Sequence, residues 1–100
     1  MTDISELTKQ LENKDSIIRR GVVEKIASVE DESAIDALIL ALKDKDRFVR
    51  QEAVLALKKI GGSKAVEQLN QALNTEKNEF VIDAIKMALE RLQSKESAST

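Results

Sequence analysis

The chain has 100 residues, 42% hydrophobic and 34% charged, with three glycines, two phenylalanines and no Pro, Cys, His, Trp or Tyr. Helix formers dominate and the punctuation of an all-β domain is missing, which points to one small all-α domain. The formal net charge of −2, with both signs mixed along the chain, argues against the concentrated basic face that nucleic-acid binding needs, and the lack of Cys removes disulfides, thiolate metal sites and thiol nucleophiles.

In chain order, the start MTDISELTKQ lacks the basic opening and apolar core of a secretory signal. No run approaches the roughly twenty apolar residues of a membrane span, so a cytoplasmic protein without a membrane partner is expected. Apolar residues then recur at intervals of three and four, the period of an amphipathic helix. They predict helices at Asp3 to Glu12, Ser16 to Val29, Ser33 to Lys43, Arg47 to Ile60, Lys64 to Asn74 and Glu79 to Gln93. Asp15, Asp46, Ser63 and Asn78 stand where N-caps are needed. Gly61 and Gly62 are suited to end the fourth helix. Glu30, Asp31 and Glu32 read as a solvated turn, and residues 94–100, SKESAST, as a disordered tail after a single domain spanning 1–93.

These helices are copies. A displacement of 31 residues carries Ile4, Leu7 and Leu11 onto Ile35, Leu38 and Leu42, and those onto Val66, Leu69 and Leu73. These three are the B helices. The same displacement carries Ile18, Val22, Ile26 and Val29 onto Val49, Ala53, Leu57 and Ile60, whereas Val81, Ile85, Leu89 and Leu92 require 32, one residue being inserted between Asn74 and Asn78. These are the A helices. Repetition at such a period is the signature of a solenoid.

The clearest copy runs Leu42-Lys-Asp44-Lys-Asp46-Arg-Phe-Val49-Arg50, then Ala53, Ala56-Leu57, Ile60-Gly61, Ala65 and Leu69. It resembles the short HEAT-like repeat of the phycobilisome-lyase type. In the first copy Gly21-Val22-Val23 and Lys25-Ile26 lose the alanines, and in the third Ile82 stands where Arg19 and Arg50 stand. The resemblance implies a right-handed α-solenoid of about six antiparallel helices and a scaffolding role. It also implies that Asp15, Arg19, Asp46 and Arg50 form a ladder between neighbouring units. The i,i+4 spacing alone allows Asp15–Arg19 and Asp46–Arg50 pairs within one helix. A sharper alternative is an anion site made by Arg19 and Arg50 together.

Each A helix has a second edge about a third of a turn from its core stripe. It carries Ile17, Gly21, Glu24 and Ser28 in the first copy, Phe48 and Leu55 in the second, and Phe80, Ala84 and Met87 in the third. The opposite edge reads Val23, Val54, Lys86. Side-by-side stacking would set Val23 against Phe48 and Leu55, and Val54 against Phe80, Ala84 and Met87. Gly21, Glu24, Ser28 and Lys86 would then be the polar ends of a capped six-helix stack. On that reading Phe48 is an inter-repeat contact; the other reading is an exposed aromatic stripe for a partner.

For chemistry the inventory is poor. Without His or Cys the commonest general base and thiol nucleophile are absent, and no spacing of carboxylates suggests a shared pocket. Neither enzymatic activity nor any metal or cofactor is expected. By family analogy the B helices line the concave side, with Leu40 as an apolar anchor among Lys9, Asp36, Lys43, Glu67 and Gln71. The expected function is a non-enzymatic adaptor that binds another protein through that face, as a monomer or weak homodimer. The alternatives are an accessory subunit of a bilin lyase or related chromophore-handling complex, suggested by the resemblance, and a self-associating module.

Overall fold

Helix starts are set by side chains that accept from the N–H groups a first turn leaves free. The structure, a computed structural model, describes residues 3–29 and 31–98, with side chains as far as Ser94. Asp3 accepts from the Ser5 N–H at the head of α1 (Ile4–Gln10), and Asp15 from the Ile17 N–H in α2 (Ser16–Val29). Asp31 does the same for α3 (Glu32–Ala41), and Asp46 accepts from both Phe48 and Val49 at α4 (Arg47–Ile60). Asn78 accepts from Phe80 and Val81 at α6 (Glu79–Ala98).

The exception is α5 (Gly62–Thr75), for which Ser63 was the expected cap. The helix begins two residues earlier, after Gly61, and has no side-chain cap. Gly61 and Gly62 have φ of 72° and 88°, a region costly for residues with a Cβ, so the pair turns the chain without a capping side chain.

The helices α1 and α3 end two residues before the expected Glu12 and Lys43, whereas the backbone of α6 stays helical to Ala98 although the apolar pattern stops at Leu92. No Gly or Pro interrupts the segment, and once a helix is nucleated each added residue gains its own hydrogen bond. Ser99 and Thr100 of the expected tail, and Glu30 of the acidic turn, lie outside the described residues.

The helices form antiparallel pairs stacked into a short solenoid, with no strand among the described residues. One layer is α1, α3 and α5; the other is α2, α4 and α6. The core lies between them, with Ile26, Leu38, Leu57, Leu69 and Ile85 as its largest fully buried side chains. The central helix α4 packs against α2, α3, α5 and α6.

How the A helices stack differs from the sequence expectation. Val23 and Val54 are fully buried while Lys86 is exposed, so this edge does meet the next helix until no further one follows. Its counterpart is the edge of Ala56 and Ala88, both buried, where the first copy has exposed Lys25. Alanine lets neighbouring backbones approach closely, and this pulls the contact round to the alanine edge. Phe48 and Leu55 are left 44% and 47% exposed, and Phe80 and Met87 63% and 69%. Phe48 is therefore not the buried inter-repeat contact, and the polarity of Gly21, Glu24 and Ser28 is not what caps the stack. We expect Phe48→Ala to lose about 1–2 kcal/mol in chemical denaturation, from partial burial and its cation contacts. A loss of about 3–5 kcal/mol, usual for a core Phe, would contradict this placement.

Candidate functional site

The arginines after the α2 and α4 caps form a ladder, but not with the partners the spacing offered. Arg19 Nε and Nη2 donate to Asp44 at 2.9 and 3.1 Å, and Nη1 donates to the Asn13 carbonyl at 2.7 Å. One repeat on, Arg50 donates through Nε and Nη2 to Glu76 at 3.0 Å each, and through Nη1 to the Asp44 carbonyl at 2.7 Å. Asp15 and Asp46 are instead used as helix caps. Each guanidinium closes its own interhelical turn and grips the acid of the next, Asp44 serving both as carboxylate and as carbonyl acceptor. The insertion before Asn78 brings Glu76 into register with Asp44, and the ladder ends at Ile82. Both guanidiniums are thus occupied by carboxylates, which leaves no joint anion site for Arg19 and Arg50.

The two layers also differ in how closely they pack. Helices α2, α4 and α6 lie in much closer contact with one another than α1, α3 and α5 do. We name the solvent-exposed side of this tighter A layer the inner face and that of the B layer the outer face.

The residues expected to bind a partner sit on the B layer, as the sequence placed them. Lys9, Asp36, Leu40, Lys43, Glu67 and Gln71 are all exposed there. They are not brought together into one site. Asp36 accepts from Lys64 Nζ at 2.9 Å, across α3 and α5. This bond, and then Asp36's charge, raise the Lys64 amine above its ordinary value. Leu40, 55% exposed, lines a depression of about 490 Å³ between α1 and α3 with Ile4, Thr8 and Ala37. Lys9 lies in an adjoining hollow that also includes Leu40. Lys43 and Gln71 border a separate hollow between α3 and α5, and Glu67 lines none of these three.

The inner face is the more organised surface. Ile17, Phe48 and Phe80 stand one per helix in a row at the N-terminal ends of α2, α4 and α6, with Leu55 and Met87 two turns further along. All five are exposed. Arginines lace the row: the Arg20 guanidinium lies 5.4 Å from the Phe48 ring centre, and that of Arg47 4.6 Å from Phe48 and 4.9 Å from Phe80. A guanidinium over an aromatic face is attracted by the ring quadrupole, so Arg20 and Arg47 help to orient both rings, which stay 44% and 63% exposed. The signal for this site was present in the sequence as the second edge of the A helices.

Comparison with known proteins places this geometry. A family model of HEAT repeats matches residues 4–90. No curated protein matches the chain. Among solved structures, an epoxyqueuosine reductase with a tRNA-Tyr epoxyqueuosine-modified stem loop is similar at TM-score 0.69 and 26% identity, over 90% of this chain and 28% of that one. Epoxyqueuosine reductase from Bacillus subtilis is similar at TM-score 0.68 and 27% identity, over 89% of this chain and 28% of that one. An engineered protein is similar at TM-score 0.59 and 25% identity, over 88% of this chain and 44% of that one. The chain thus spans well under half the length of the reductases it resembles. No helix of the described residues is long and apolar enough to cross a membrane.

Proposed function

The chain belongs to the HEAT-repeat family, and on that premise we propose that it is a non-enzymatic scaffold that binds another protein through the inner face of α2, α4 and α6. The observation that carries this reading is the row Ile17, Phe48 and Phe80, all exposed, with Arg20 and Arg47 against the two phenylalanine rings. Large apolar side chains in solvent are common singly, but a contiguous set marks an interaction surface. Aromatic and arginine side chains are also the residues that most often anchor interfaces, because each buries much area for few rotatable bonds.

One of the similar structures holds a tRNA stem loop, which makes nucleic acid the reading to test against. The inner face mixes Glu24, Glu52 and Asp83 with its cations, and phosphates would meet those carboxylates. A protein partner suits it better. A second protein-binding reading uses Leu40 and the outer depression.

Affinity capture with the wild type, Phe80→Ala and Leu40→Glu, all confirmed folded by circular dichroism, tests the face. We expect a protein retained by the wild type and by Leu40→Glu to be lost with Phe80→Ala. Loss only with Leu40→Glu would move the interface to the outer layer. Binding of a tRNA stem loop with a steep salt dependence would overturn the protein reading.

A further inference from the structure

Among the carboxylates of the inner face that no ion pair or hydrogen bond among the described residues holds are Glu24 and Glu52. Glu52 stands on α4 between Phe48 and Leu55, about one helical turn from each, so that the three lie ~6 and ~4.5 Å apart along the axis. Glu24 belongs to the matching face of α2, one repeat earlier. Burial, and then the Glu24 charge, push the Glu52 carboxyl above the ordinary range, while Arg20 pulls it back. Arg20 and Arg47 are stacked on phenylalanine rings, and the ladder arginines are occupied with Asp44 and Glu76.

We infer that the inner face takes a protein segment in which a lysine or arginine stands between two apolar side chains, the cation meeting Glu24 and Glu52 and the apolar groups meeting Phe48 and Leu55. This rests on the protein-binding reading and adds the chemistry of the partner. The surface offers apolar, acidic, apolar along one helix face, and its complement is apolar, basic, apolar. A cation brought there relieves the repulsion between the two carboxylates, and the apolar contacts remove water from around the new ion pair, which strengthens it. An acidic or phosphate-bearing segment would add repulsion at the same spot.

The test is selection from a library of short random peptides, with the wild type, Glu24→Gln/Glu52→Gln and Phe48→Ala/Phe80→Ala as baits. The glutamine substitutions keep side-chain shape and remove a like-charge contact, so the fold is expected to survive them. We expect peptides enriched by the wild type to carry a Lys or Arg flanked by apolar residues, and to bind the glutamine variant about tenfold more weakly. Their affinity for the wild type should fall as salt is raised. Peptides without a basic preference that still depend on Phe48 and Phe80 would overturn this inference and leave the protein-binding reading standing. Peptides indifferent to the phenylalanines, or no enrichment, would overturn both. Light scattering on the same baits adds one more decisive outcome: a dimer that the glutamine variant loses would assign the face to a second copy of the chain and not to a foreign segment.

Discussion

Asp44→Ala is expected to destabilise the domain by about 3–5 kcal/mol, because it strands a charge inside the protein. The Arg19 side chain is 5% exposed and that of Asp44 10%, so water cannot replace the lost carboxylate. Arg19 would keep only its bond to the Asn13 carbonyl. The Asp46 N–H, which donates to Asp44 at 2.9 Å, would lose its acceptor as well. Domains of this size have about 5–15 kcal/mol in all, so the variant should show a large drop in its urea midpoint. Arg19→Met combined with Asp44→Ala should recover much of the loss, since an apolar side chain carries no desolvation cost there. If the single variant lost under ~1 kcal/mol, the ladder would be a surface ornament and not a clamp between repeats.

Leu57→Ala is expected to cost about 2–5 kcal/mol, towards the upper end of that range. Leu57 is fully buried on α4, the helix that packs against α2, α3, α5 and α6. Closing the cavity would require several helices to move together, so little of it can collapse. Leu55→Ala, two residues along the same helix, provides the comparison. Leu55 faces water on the inner side, and its loss should be within ~1 kcal/mol. Guanidinium unfolding of the two variants at one pH measures the difference, and equal losses would mean that Leu55 is packed and the inner face is not where we place it.

Both results bear on the partner surface as much as on stability. Arginine clamps linking the turns before α2, α4 and α6 and a close-packed alanine edge fix the spacing of these helices, and that spacing sets how far apart Ile17, Phe48 and Phe80 stand. A rigid array loses little entropy on binding. The phenylalanines can then be varied for recognition at modest cost to the fold, which makes the capture and peptide experiments interpretable.

The helices themselves were legible because their signals are local. Asp15, Asp46 and Asn78 each cap the helix they precede, and α2 and α4 begin and end where the apolar period does. The 31-residue repeat located the core positions, since a buried stripe must recur in every copy. The Val23, Val54, Lys86 edge was also legible, because a lysine can replace a buried valine only where stacking stops. Beyond one turn the sequence left choices that tertiary structure decided. Asp15 and Asp46 sat correctly for i,i+4 pairs, yet a guanidinium reaches further than one turn, and the ladder formed with Asp44 and Glu76, 25 and 26 residues away. Phe48 and Ala56 flank the same core stripe, and periodicity cannot tell which of two flanks a neighbouring helix will cover. The alanine flank won because small side chains allow the closer approach. That one preference left Phe48, Phe80, Leu55 and Met87 exposed to solvent on the A layer.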